Sequence, residues 1–306
     1  MKKFLLKSLL VVFILSVVTM PNILYSIIAP RWLALFEIAD SKTVVFVGDS
    51  HVANGINDEF IPGGFNFAKP AEIYLNIYPR LKKLLDKNPK ISTVFIGVSP
   101  YCLEKNGDSC LHNNGSTKIL LFKNLGIYSA EELRSIEPNI YFGYLLSKYG
   151  IKSGFKSFYS LISKSSQEIF GDMGGYNMEQ VRDLKKDLEP GVAHKRLFSV
   201  GKMTFYGNEL QRKYLRKIVE MARAHGVRVI FLNTPIYHAE KFFDVPYFEN
   251  LLKTEFPDVE FWDYVNFSVP EDCRKDVNHL NKWGAEIFSK ELARRMREEE
   301  IIPCEN

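Results

Sequence analysis

The chain has 306 residues, and the part beyond residue 30 is long for one domain but ordinary for an α/β sheet carrying an insertion. Its 40 basic and 36 acidic residues leave a net charge of +4, too balanced to imply a nucleic-acid partner. Aromatic residues make up 13%; core packing is the expected use for most of them, with stacking on sugar rings or a place at a membrane surface open to others.

Lys2, Lys3 and Lys7 precede a stretch from Leu9 to Ala29 that contains no charged residue and is long enough to span a bilayer. A cleavable signal peptide would have a shorter apolar region and a small-x-small site. Here the corresponding end reads Ser26-Ile27-Ile28-Ala29-Pro30, with Ile27 where a small residue is wanted. The expectation is an uncleaved transmembrane anchor over residues 1–30, amino terminus in the cytoplasm, with residues 40–306 exported. Pro21 and Asn22 fall near the middle of this span. A buried core helix is the competing reading, and it gives the basic flank no role.

After the anchor, Thr43-Val44-Val45-Phe46-Val47 reads as a buried parallel strand. A helix is expected from Glu72 to Lys87, then a strand over Thr93–Gly97. Residues 105–200 break the pattern with Asn, Gly and Ser clusters, two aromatic helical pieces (Tyr141 to Tyr149 and Phe155 to Lys164) and the loop Gly171-Asp172-Met173-Gly174-Gly175-Tyr176. They read as an insertion emerging near the carboxyl edge of the sheet. A helix from Glu209 to His225 comes next, with Leu210, Tyr214, Leu215, Ile218, Val219 and Ala222 at helical spacing and Gly226 at its end. Strands are expected over Val227–Leu232 and Val259–Trp262, and a last helix from Trp283 to Arg297 keeps Ile287, Phe288, Leu292 and Met296 on one face. Alternating strands and helices imply a three-layer α/β/α domain with a parallel sheet.

Of the four cysteines, Cys102 and Cys110 flank the turn-forming Asn106-Gly107-Asp108, so a local disulfide fits an oxidising compartment. Cys273 and Cys304 bracket the last helix, whose length of roughly 27 Å keeps them apart unless the tail folds back. No CxxC or paired-histidine spacing suggests a metal, and none is expected.

Two short pieces carry the chemistry. Gly48-Asp49-Ser50-His51 comes directly after the first strand, which puts Ser50 on the turn at its carboxyl end, where open α/β sheets hold ligands. Asp276-Val277-Asn278-His279-Leu280-Asn281 precedes the last helix, and the Asp-x-x-His spacing lets the carboxylate orient the imidazole. Serine, aspartate and histidine are the groups a serine hydrolase or acyltransferase needs. The competing explanation is that Ser50 and Asp276 simply cap helices.

With these residues in view, the chain resembles the SGNH (GDSL-like) hydrolase superfamily over residues 40 to 298. It is most like the membrane-anchored branch that includes alginate and peptidoglycan O-acetyltransferases and the D-alanine-transfer protein of teichoic acids. Gly48-Asp49-Ser50 matches the first family block; Asp276-x-x-His279, with the adjoining Leu280-Asn281-Lys282-Trp283-Gly284-Ala285, matches the last. The resemblance implies a catalytic triad of Ser50, Asp276 and His279, and an oxyanion hole from the backbone N–H groups of Ser50 and Ala71 with the Ser99 hydroxyl. Ala71, in Asn66-Phe67-Ala68-Lys69-Pro70-Ala71, stands where the family has glycine, and serves if its backbone conformation is ordinary. Ser99, in Gly97-Val98-Ser99-Pro100, stands where the family has asparagine; a hydroxyl is shorter and donates only one hydrogen bond.

Asp49, His51 and Asn233 are candidates to line the substrate cleft, and His51 is also a candidate second base. The expected function is O-acyl transfer, in the first place O-acetyl transfer, to an extracytoplasmic cell-surface polysaccharide through an acyl-serine. No soluble cofactor is needed; the expected acyl donor is a multispanning membrane O-acyltransferase. The expected location is the inner membrane, single-pass, with the catalytic domain periplasmic. Two alternatives stand beside this: an esterase that deacetylates an extracytoplasmic glycan, and a non-catalytic glycan-binding or assembly subunit.

Overall fold

The computed structural model describes residues 2–32, 36–103, 175–176, 209–237 and 245–304. The helix α1, Lys2–Trp32, and residues 36–103, 175–176, 209–237 and 245–304 belong to different compact units. The expected insertion at 105–200, with both of its helical pieces, lies outside the described residues except for Gly175 and Tyr176.

α1 is 31 residues long and runs unbroken through Pro21 and Asn22. Over its first half the apolar side chains stand exposed around the helix, among them Phe4, Leu6, Val12 and Phe13. Among the described residues no helix is long and apolar enough to cross a membrane. The uncharged run of the sequence continues to Ala29, through positions whose side chains lie outside the described residues.

The second unit is an α/β fold built on five parallel strands: β1 Val44–Val47, β2 Gly64–Asn66, β3 Thr93–Gly97, β4 Arg228–Asn233 and β5 Glu260–Asp263, in the order β2-β1-β3-β4-β5. β1 pairs Val44 with Gly64 on one side and with Thr93 on the other, and β3 continues the sheet through Thr93 opposite Arg228. β1 and β3 are buried along their whole length, which is why they read as continuous apolar runs rather than alternating ones. After β2 the chain crosses back over β1 to form β3, so the strand order reverses at β1. A crevice opens outside the carboxyl end of a strand at such a reversal.

Five α-helices accompany the sheet among the described residues: α2 Ser50–Gly55, α3 Tyr74–Lys87, α4 Glu209–Ala224, α5 Val245–Glu255 and α6 Lys282–Glu298. Pleating sends Val44, Phe46, Phe95, Ile230, Leu232 and Trp262 to one core cluster. There they meet Val52, Ala53 and Ile56 of α2 and Phe288, Leu292, Ala293 and Met296 of α6. Phe288 is fully buried, and truncating such a side chain costs about 3–5 kcal/mol. Ser289 Oγ accepts the backbone N–H of Asn57 at 2.8 Å, tying α6 to the segment just after α2.

Three elements depart from the sequence expectation. α3 starts at Tyr74, because Glu72 is drawn into a buried ion pair with Arg80 instead of opening the helix. β2 and α5 were not expected. β2 is three residues long, too short for any periodicity to show.

Candidate active site

The sequence around β1 brings Ser50 to the edge of the sheet. Val52 of α2 presses onto the ends of two strands: a methyl group at Gly48 would lie 2.6 Å from Val52 Cγ2, and one at Gly97 would overlap the same atom. Glycine at both positions lets α2 pack directly over β1 and β3, and its first residue, Ser50, is held half-buried just past the carboxyl end of β1. Asp49, not Ser50, caps this helix, its Oδ1 accepting the N–H of His51 at 2.9 Å.

The opposing loop is equally constrained. Asn281, not Asp276, caps α6, with its side-chain oxygen accepting the N–H groups of Trp283 and Gly284. Its Nδ2 donates to the carbonyls of Asp272 and Arg274. The helix start packs so close that a methyl group at Gly284 would overlap the Cys273 carbonyl oxygen. Within the loop, the N–H of Lys275 donates to the His279 carbonyl at 3.0 Å. The capping explanation for Ser50 and Asp276 therefore fails: neighbouring residues do that work and leave both side chains for other contacts.

Those contacts form one chain. Ser50 Oγ lies 2.8 Å from His279 Nε2, and His279 Nδ1 lies 2.9 and 3.0 Å from the two oxygens of Asp276. The carboxylate can only accept, so the ring proton sits on Nδ1 and the Nε2 lone pair faces the serine hydroxyl. Asp276 Oδ1 also accepts the backbone N–H groups of Asn278 and His279 at 2.8 and 2.9 Å. Burial opposes its ionisation, yet the hydrogen bonds and charge of His279 together with these two N–H groups hold the carboxyl below its usual range.

The residues expected to form an oxyanion hole are placed unequally. The N–H of Ser50, at the first helical position, has no intrahelical acceptor. Ala71 has φ +59°, so its backbone is left-handed and the condition for its N–H to serve as an oxyanion donor is not met. That conformation costs a residue with a Cβ about 1–2 kcal/mol and explains why glycine suits the position. The loop is held from both sides: Lys69 N–H donates to the Gly48 carbonyl at 3.2 Å, and Glu72 forms the buried pair with Arg80. Arg80 also donates to the Phe67 carbonyl and lies over the Phe67 ring. Ser99 is buried with its Oγ 3.3 Å from Cys102 Sγ.

Cys102 is a free thiol, so the expected local disulfide is not formed; Cys110 lies outside the described residues. Its Sγ lies 3.6 Å from Asp49 Oδ2, and burial, reinforced by the Asp49 charge, pushes the thiol up to about 12. Cys273 and Cys304 are also free.

Of the cleft candidates, Asp49 is occupied as cap and as acceptor for Cys102. Asn233 is 1% exposed at the end of β4, beside its strand partner Asp263, and so lies inside the sheet edge rather than on its surface. His51 is buried with its ring against that of His279, centroids 5.1 Å apart. The pairing of Cys102 with Tyr74, whose Oη donates to the Gly97 carbonyl at 2.9 Å, had no signal in the sequence. Among the described residues no group of three or more His, Cys, Asp or Glu side chains is arranged to hold a metal ion.

No family model matches the chain, and no curated protein matches it in sequence.

Proposed function

We propose that the chain is a membrane-anchored serine O-acyltransferase of SGNH type that acts on an extracytoplasmic polysaccharide. The observation that carries this reading is the unbroken line from Ser50 Oγ through His279 to Asp276 at the carboxyl end of β1. Helices beside a parallel sheet, with the nucleophile at the strand-order reversal, suit the three-layer arrangement of that superfamily.

In the proposed reaction Ser50 Oγ attacks the acyl carbonyl carbon while its proton passes to His279 Nε2. Asp276 stabilises the imidazolium that forms. The tetrahedral oxyanion is met by the backbone N–H of Ser50, which has no intrahelical acceptor. Collapse breaks the bond to the donor's leaving group, which takes the proton from His279 and leaves acyl-Ser50. A sugar hydroxyl then gives its proton to His279, attacks the ester and departs acylated, restoring the serine. No cofactor takes part. The donor is an activated acyl group presented by a multispanning membrane acyltransferase.

The anchor rests on Lys2, Lys3 and Lys7 before the uncharged run to Ala29, and on the exposed apolar surface all round the first half of α1. It implies an inner-membrane location with the catalytic unit in the periplasm. The test is labelling of the full-length chain by a fluorophosphonate probe. Modification at Ser50, lost in Ser50→Ala, supports the reading; an unreactive Ser50 defeats it and favours the non-catalytic glycan-binding alternative.

A further inference from the structure

We propose that His51 is a positioning residue: its ring ties the loop of Asp276 and His279 to the helix of the nucleophile and thereby sets the plane of the base.

Asp276 and His279 belong to one loop, and every bond between them is internal to it. Those bonds orient the imidazole relative to its own backbone. They leave open how far the loop stands from α2, and that distance decides whether Nε2 meets Ser50 Oγ. α2 and α6 already meet in the core and through Ser289 and Asn57, and His51 adds a contact at the base itself.

It comes directly after Ser50, and the Asp49 carboxylate holds its N–H at 2.9 Å, so its place on the first turn is fixed with that of the nucleophile. Its side chain is buried, with 8% of the residue exposed. The ring hydrogen-bonds to the backbone of Asn278, which lies between Val277 and the base. The same ring lies against His279, centroids 5.1 Å apart and planes tilted by 34°. One side chain thus grips the loop by its backbone and the base by its ring face. Burial keeps His51 neutral against the pull of Asp49 and Asp276, while His279 itself disfavours a second positive ring. A neutral imidazole can pack on the base without opposing the charge that His279 acquires during the reaction. His51 exchanges no proton with Ser50 in this role.

The kinetic part of the inference rests on the acyl-transfer reading; the structural part does not. The full-length protein in detergent is compared as wild type, His51→Ala and His51→Phe, the last keeping an aromatic ring without the hydrogen bond. With a chromogenic acetyl ester, His51→Ala should lower kcat by roughly 10²-fold, the scale of a misplaced catalytic group, and leave KM unchanged. His51→Phe should recover part of that loss. Independently of turnover, the low-field proton resonance of His279 Nδ1–H, assigned by its disappearance in His279→Gln, should broaden or vanish in His51→Ala. Parental kcat together with an unchanged resonance in His51→Ala would overturn the proposal. If His51→Ala does not fold, His51→Phe decides: a weakened resonance supports the clamp, and a parental resonance with parental kcat overturns it. A wild-type chain that shows the His51-dependent resonance but no reaction with fluorophosphonate would sink the acyl-transfer reading and leave the positioning role standing.

Discussion

Val52 of α2 lies directly on Gly97 of β3, so close that a methyl group on the glycine would overlap its Cγ2. This contact seats α2 on the sheet, two residues after Ser50. Gly97→Ala should therefore cost about 1–3 kcal/mol through overpacking and lower esterase turnover by lifting Ser50 from His279. The double variant Gly97→Ala/Val52→Ala should recover part of both losses, because the two side chains compete for one space. Urea unfolding and ester turnover on the four chains measure the coupling; strictly additive losses would show that Val52 is not what Gly97 accommodates.

The triad should behave as one unit. Ser50→Ala and His279→Gln should each lower acetyl-ester turnover on the order of 10³-fold or more, and combining them should add little. Asp276→Asn should also lose most activity, since an amide can donate toward Nδ1 and favours the wrong tautomer. Steady-state kinetics on purified full-length variants check the pattern. Equal activity in Ser50→Ala would remove the serine mechanism.

Acid should destabilise the fold in two windows. His51 is held below the ordinary histidine value by burial, so on acidification through about 6.5 the unfolded chain takes a proton first and stability falls. Asp276, held below its usual range by His279 and two backbone N–H groups, stabilises the fold above the unfolded carboxyl value of about 3.9. That contribution disappears as pH falls through the lower folded value. Urea midpoints against pH should lose the first slope in His51→Phe and the second in Asp276→Asn. Unchanged slopes would show that neither group is the source.

Transfer and hydrolysis differ in the fate of acyl-Ser50. The left-handed Ala71 and the pairing of Ser99 with Cys102 suit a slow intrinsic hydrolase whose acyl-serine survives to meet a sugar. Acetyl release from a model ester, monitored with and without oligosaccharides, should give acetylated sugar and little free acetate. Rapid acetate release that no sugar diverts, with deacetylation of a natural glycan, would assign the chain as an esterase.

Removal of residues 1–32 should release the protein from membranes into the soluble fraction while fluorophosphonate labelling at Ser50 persists. Membrane association that survives the deletion would place the attachment elsewhere in the chain.

The sequence by itself determined whatever depends on neighbours along the chain. The apolar runs of β1, β3 and β4 and the helical spacing of α4 and α6 are local patterns. So are Gly48-Asp49-Ser50 and Asp276-x-x-His279, the short pieces on which the proposed chemistry rests. Tertiary structure decided what depends on contacts between distant segments. β2, with three residues, exists because β1 offers an unpaired edge for Gly64, Phe65 and Asn66. Asp49 and Asn281 took the caps because backbone geometry, not residue type alone, selects the capping position. Ala71 is left-handed because Glu72 and Lys69 are held on either side of it, and Cys102 is free because its sulfur turns inward to Ser99 and Asp49. The meeting of His51 with His279 had no local trace, since a separation of 228 residues is closed only by the strand-order reversal at β1 and by the packing of α6 on the sheet.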